Sequence, residues 1–318
     1  MAFILLIVGL ALLIKGADYF VKGASSIASN LNVSPLLIGL TIVAFGTSAP
    51  EATVSLVAAL EDSAGMAIGN VVGSNIFNIT FVAGLTALIY PLKVESETIR
   101  KEIPFTLLAS VALLVLVSDV FLQEWSANFI SRSDGFILLL FFAIFLYYLF
   151  EVARRSRERG RSSSHHVAKE AWVKNIILTL GGLAAIVFGG DLVVNGATEI
   201  ALSCGMSDTL VGLTIVAVGT SLPELVTSIM AAIKREGDIA LGNIVGSCIF
   251  NILFVLGTSS AISPLAVDHR IFTDVLLMIL LTVILLVFSR SNYKIGKMEG
   301  IILAAAYVLY MVYVILRN

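Results

Sequence analysis

The chain has 318 residues, 58% of them hydrophobic and 13% charged, with a mean hydropathy of +1.00 and a formal net charge of -2. A soluble domain typically carries about 25% charged residues, so this composition excludes one and describes a polytopic membrane protein. The net charge says little about partners, because in such a chain the placement of charge matters more than its total.

A bilayer crossing needs about 20 apolar residues. Stretches that meet this fall at 2–28, 35–60, 65–91, 103–122, 134–150, 172–201, 208–233, 238–262, 271–289 and 298–316. The predicted fold class is therefore an all-α membrane protein of ten transmembrane helices, arranged as two inverted five-helix repeats. Residues 1–150 hold the first repeat, 151–171 a cytoplasmic linker, and 172–318 the second.

The first span carries Lys15, Asp18 and Lys22 and no small-residue cleavage pattern follows it, so it is not read as a removable signal peptide. Asp18 lies at helical spacing from both lysines and is expected to pair with one of them. The Arg- and Ser-rich segment 153–168, with His165 and His166, reads as a solvated charge run or a contact for anionic lipid headgroups. Cys204 and Cys248 have no metal-site or disulfide spacing and are expected to pack as small apolar side chains.

Lys and Arg placement sets the orientation. With the loop from Glu151 to Lys174 in the cytoplasm, Lys93, Arg100, Lys101, Lys234, Arg235, Arg290, Lys294 and Lys297 also fall inside, while Arg132, Arg270 and Arg317 fall outside. That asymmetry follows the positive-inside rule and puts both termini on the outer face of the cell (inner) membrane. An odd number of spans per half then turns the second half upside down, a plan common among secondary transporters.

Residues 34–84 recur without a gap as residues 207–257, displaced by 207 − 34 = 173 positions. About 29 of the 51 aligned positions are identical, concentrated on Gly, Ser, Thr, Pro, Asn and Glu, where lipid-facing packing alone would favour Leu and Val. Both copies carry Gly-Thr-Ser-x-Pro-Glu, ending at Glu51 and Glu224. Pro50 and Pro223 each remove one amide donor within a span, so each helix is expected to break there and free the carbonyls of Gly46 and Gly219. Unpaired backbone at membrane depth is tolerated only inside protein or against a hydrated cavity.

A charged side chain at mid-membrane costs on the order of 3 kcal/mol or more, so Glu51 and Glu224 need a partner. The nearest basic residues in sequence, Lys234 and Arg235, lie at a predicted helix end. A bound cation is the expected partner. Ser74 with Asn78, and Ser247 with Asn251, sit four apart and present two oxygens to one helical face; plain interhelical hydrogen bonding is the alternative. Carboxylates, carbonyls and hydroxyls suit Ca2+ or Na+, and the lack of thiolate or His in the motifs argues against zinc or copper. Gly69, Gly73, Gly242 and Gly246 carry the small-xxx-small spacing of close helix packing. No base accompanies the serines as a nucleophile would require, because the histidines are at 165, 166 and 269, so an enzyme is not expected.

The duplicated Gly-Thr-Ser-x-Pro-Glu and Gly-Ser-x-x-x-Asn segments resemble the alpha repeats of the cation/calcium antiporter superfamily, most closely its prokaryotic sodium/calcium exchanger branch. The resemblance covers nearly the whole chain. It implies that Glu51 and Glu224 are carboxylates shared among cation sites, that Thr47 and Thr220 give carbonyls to Ca2+, and that Ala44 and Ala217 give carbonyls to Na+. Ser48, Ser221, Ser74 and Ser247 would offer hydroxyls, with Asn78 at the centre. Where some members have Asp in the eighth helix this chain has Asn251, which puts potassium cotransport in doubt. The implied function is electrogenic Na+/Ca2+ antiport by alternating access, the long first and sixth spans sliding across the core; Ca2+/H+ antiport is the alternative. The expected partners are the two ions as substrates and the lipid bilayer, with no cofactor, nucleic acid or obligate protein partner.

Overall fold

The computed structural model describes residues 2–94, 101–122, 124, 126–161, 172–204, 217–291 and 293–317. It is built of helices, with two short antiparallel β-ladders. Helix α1 (Ala2–Leu31) is a 30-residue run without proline. It stops where Asn32 turns to φ 55°. Ser34 then caps the next helix, its Oγ accepting from Leu37 N at 3.3 Å, with Pro35 at the first helical position where a missing N–H costs nothing.

That helix, α2 (Pro35–Thr47), is followed by α3 (Ala49–Leu60) at a bend of 48°, and contains a π turn over Gly39–Val43. Helix α4 (Ala64–Ile89) carries a second π turn at Asn78–Val82. Strand β1 (Leu92–Lys93), helix α5 (Glu102–Leu116), the short α6 (Asp119–Leu122), strand β2 (Asn128–Ile130) and helix α7 (Arg132–Arg161) complete the first half.

The second half repeats the scheme with α8 (Trp172–Ser203), α9 (Ala217–Gly219), α10 (Leu222–Ile233) and α11 (Gly237–Ile262). A π turn in α11 begins at Asn251, the equivalent of Asn78. Strand β3 (Leu265–Val267), helix α12 (His269–Arg290), strand β4 (Lys294–Ile295) and helix α13 (Lys297–Arg317) follow. Strand β1 pairs with β4 and β2 with β3, each joining one half to the other.

Equivalent turns use equivalent bonds. Ser63 N donates to Ala58 O and Glu236 N to Ala231 O, both at 2.8 Å, and the residue before each, Asp62 (φ 55°) and Arg235 (φ 63°), adopts the left-handed conformation that closes a helix.

Among the described residues, seven helices are long and apolar enough to cross a membrane, or eight when the bent pair α2–α3 counts as one span. Helices α4 and α11 form the core: 94% of the apolar window of α11 is buried, against 17% for α13. The outer helices present Phe3, Ile7, Phe150, Ile177, Phe188, Leu309 and Leu316 outward, as lipid-facing surfaces do.

Helices α1 and α8 pack through glycines spaced seven apart, 9, 16 and 23 on one and 182, 189 and 196 on the other. Gly9 faces Gly189, Gly16 faces Gly182 and Gly23 faces Asn175 and Thr179, so contact positions rise on one helix as they fall on the other. The two run antiparallel with backbone nearly against backbone. Gly242 and Gly246 bring α11 equally close to Leu36, Gly39 and Leu40 of α2, as the small-residue spacing predicts. The partners equivalent for Gly69 and Gly73 fall at 209–217, mostly outside the described residues.

Two boundaries differ from the sequence reading. Helix α7 continues past 150 to Arg161, where Glu151 pairs with Arg154 and Arg155, and Arg154 with Glu158, at helical spacing. The rest of the linker, with His165 and His166, lies outside the described residues, as do 208–216 of the seventh predicted span. Helix α5 ends at Leu116 instead of 122: Val117 (φ -94°, ψ 10°) leaves the helical conformation and Asp119 starts a separate turn.

Candidate cation site

The breaks fall just ahead of the prolines. Ser48 (φ -80°, ψ 7°) separates α2 from α3, and Ser221 (φ -92°, ψ 6°) leads into α10; Pro50 and Pro223 then occupy the first helical turn, where proline fits. Glu51 and Glu224 therefore lie in the first turns of α3 and α10, beside unpaired amides and the positive end of a helix dipole. Both carboxylates are 0% exposed.

The halves exchange equivalent bonds. Ser48 Oγ donates to Glu224 Oε1 at 2.7 Å, and Ser221 Oγ donates to Glu51 Oε1 at 2.7 Å. Thr47 Oγ1 donates to Asn243 Oδ1 at 3.0 Å, matched by Thr220 Oγ1 to Asn70 Oδ1 at 3.4 Å. Asn243 Nδ2 donates to Glu224 O at 3.3 Å and to Ser228 Oγ at 2.9 Å; Asn70 Nδ2 does the same to Glu51 O at 3.2 Å and Ser55 Oγ at 2.9 Å. Each broken helix is thus held by an asparagine of the helix after it and a hydroxyl of the opposite half.

The second oxygens tell more. Glu51 Oε2, Glu224 Oε2, Ser74 Oγ, Asn251 Oδ1 and both amide atoms of Asn78 are buried without a partner among the described residues. An unsatisfied buried polar atom costs about 1–3 kcal/mol, and a charged one more. All six atoms belong to residues the motifs single out, on α3, α4, α10 and α11. Such an array, all oxygen apart from one amide nitrogen, is chemically suited to a hard cation.

Ser247 Oγ reaches Ala44 O at 3.5 Å across the halves, and Ala217 opens the described part of α9. The structure brings Ser48, Ser221, Glu51 and Glu224 into direct contact across the halves. Thr47 and Thr220 give their hydroxyls to Asn243 and Asn70.

A sodium/calcium exchanger family model matches residues 1–151 and 174–316. The chain belongs to that exchanger family. It is 43% identical over 318 residues to CaxA of Alkalimonas amylolytica, covering 97% of each chain. It is 36% identical to the sodium/calcium exchanger MaX1 of Methanosarcina acetivorans, covering 98% of this chain and 97% of the relative. The solved structure of the sodium-calcium exchanger NCX_Mj, soaked with Na+ and Ca2+, superposes with a TM-score of 0.83 at 33% identity, covering 98% of this chain and 97% of NCX_Mj. The exchanger family is one of membrane transporters and not of enzymes, and this chain is an integral membrane protein of that family.

Sequence reasoning missed Asn70, Asn243, Ser55, Ser228 and Asn75. The first four are identical between the repeat copies, so the signal was present, masked by the stronger chemistry of the glutamates. Asp18 also differs from expectation. It pairs with Lys234 at 2.6 Å instead of with Lys15 or Lys22, both of which are exposed on α1 while the end of α10 brings Lys234 to it.

Proposed function

We propose that this exchanger moves Ca2+ against Na+ by alternating access, electrogenically and without K+. The carrying observation is the reciprocal Ser48–Glu224 and Ser221–Glu51 pairing, which leaves one buried oxygen of each carboxylate free for a cation. With Asn at both 78 and 251, the site holds two formal negative charges. Ca2+ balances them, while three Na+ leave one positive charge; that coupling comes from the family resemblance. The relatives MaX1 and NCX_Mj, both named as sodium/calcium exchangers, support the same ions.

The ligand set is Glu51, Glu224, the hydroxyls of Ser48, Ser221, Ser74 and Ser247, the side chains of Asn78 and Asn251, and the carbonyls of Thr47, Thr220, Ala44 and Ala217. Counting α2–α3 and α9–α10 as one span each and including α5 gives ten crossings. The antiparallel course of α1 and α8, equivalent by the 173-residue displacement, supports an inverted repeat. Lys and Arg placement supports outer termini and a cytoplasmic 151–171 segment in the inner membrane.

Ca2+/H+ antiport is the second reading, because the same buried carboxylates could carry protons in place of Na+. Purified protein in liposomes decides between them. An imposed Na+ gradient is expected to drive radioactive Ca2+ uptake, and Glu51→Gln or Glu224→Gln to cut it by about 100-fold or more, since each removes one charge of a buried cluster. Uptake that follows a pH gradient and ignores Na+ selects the second reading. Flux indifferent to voltage set by a K+ ionophore removes electrogenic coupling.

A further inference from the structure

The exchange of equivalent bonds is not complete. Displaced by 173, Asn75 corresponds to Cys248, and the two meet where α4 crosses α11, both fully buried. Asn75 Nδ2 donates to Cys248 O at 3.2 Å, and Cys248 Sγ lies 4.0 Å from Asn75 O. Their side chains are not equal beyond that contact. Asn75 Oδ1 accepts from Asn251 Nδ2 at 3.3 Å. A thiol is a weak donor and acceptor, and Cys248 holds nothing comparable: both amide atoms of Asn78 lack a protein partner.

The consequence is directional. Asn251 has its nitrogen engaged by Asn75, so its oxygen is the end left over, buried and without a protein partner. Asn75 cannot turn over to reverse this, because its own nitrogen is held by the Cys248 carbonyl; turned, it would set oxygen against oxygen there and nitrogen against nitrogen at Asn251. An Asp at 251 would likewise set a carboxylate oxygen against Asn75 Oδ1. Nothing among the described residues chooses the direction of the Asn78 amide.

We propose that Asn75 is a positioning residue that fixes Asn251 as a permanent oxygen donor and selects a neutral amide over a carboxylate there, while Asn78 remains a ligand that turns to suit its occupant. This rests on the cation-exchange reading. It makes the two halves unequal in a site where the bonds of Ser48 and Ser221 to the glutamates, and those of Asn70 and Asn243, are matched.

The test is equilibrium binding of radioactive Ca2+ to the full-length protein in detergent, with ion-free melting temperature recorded beside it. Asn75→Ala is expected to weaken Ca2+ binding about tenfold, the effect of one lost buried hydrogen bond, because the Asn251 amide can then present nitrogen. Asn75→Cys, which copies the residue of the second half and packs in a buried position, is expected to do the same and covers the case in which alanine fails to fold. An aspartate has oxygen at both ends and needs no orientation. Asn251→Asp is therefore expected to be at least about fivefold more favourable to Ca2+ affinity in the Asn75→Ala or Asn75→Cys background than alone. Effects that simply multiply, or position-75 variants whose affinity stays within about twofold of the parent, overturn the assignment to Asn75. A parent protein that binds no Ca2+ instead overturns the cation reading beneath it.

Discussion

At the residue scale, what distinguishes the glutamate pair from a structural contact is that each carboxylate is half used. One oxygen takes a serine hydroxyl from the opposite half, and the other takes nothing from the protein. Hydrogen bonds to charged groups contribute about 1.5–3 kcal/mol, so Ser48→Ala and Ser221→Ala should each weaken Ca2+ binding by about 10- to 100-fold. Because the two bonds have the same length and burial, the losses should agree within about threefold; a strongly one-sided result would mean that only one serine reaches the ion. The glutamates, serines and asparagines of the motifs were legible because polar identity inside apolar sequence has few bland explanations. The partner of Asp18 was not, since Lys234 is brought to it by the end of α10 and local spacing offered two closer lysines.

At the element scale, the breaks were legible from proline chemistry, and the structure puts them one to two residues ahead of Pro50 and Pro223. The π turns at Gly39, Asn78 and Asn251 were not, because an extra residue in a helical turn leaves no mark in apolar periodicity. The seam glycines Gly16 and Gly23 correspond to Gly189 and Gly196 by the 173-residue displacement; that the two helices face each other depends on the whole bundle. Neighbouring glycines on α8 test the seam. A Cβ on Gly182 would come within 2.6 Å of Phe20 N and 2.7 Å of Gly16 O, whereas one on Gly181 meets nothing within 4 Å among the described residues. Gly182→Ala should cost about 1–3 kcal/mol by overpacking and lower the melting temperature. Gly181→Ala should be neutral or gain up to about 1 kcal/mol from helix propensity. Equal effects at the two positions would refute the close approach.

At the scale of the whole molecule, two matched halves would make the inward- and outward-closed arrangements of the proposed alternating access nearly equal, and one unmatched ion pair would bias that balance. Asp18 of α1 meets Lys234 at the end of α10, and Ser25 Oγ adds a bond to Glu236 at 2.9 Å. The positions equivalent by displacement are Asp191 and Glu61 (234 − 173 = 61), both acidic, so no matching clasp can form; Asp191 instead accepts from Asn195 on its own helix at 3.1 Å. On the proposed orientation the clasp is cytoplasmic and holds α1 against the core on that side only. Side-chain exposures of 37% for Asp18 and 27% for Lys234 keep its worth to about 0.2–1 kcal/mol, enough to shift a two-state balance up to about fivefold. Lys234→Gln should therefore raise the initial rate of Na+-driven Ca2+ uptake by about two- to fivefold at low ionic strength, without changing Ca2+ affinity. Raising ionic strength with choline chloride should erase the difference, because partly exposed charges are screened within about 10 Å at 0.1 M salt. The charge-exchanged double variant, Asp18→Lys with Lys234→Asp, should return the parent rate, since it rebuilds the pair with its sign reversed. A Lys234→Gln protein that keeps the parent rate at every ionic strength would show that the pair carries no share of the conformational balance.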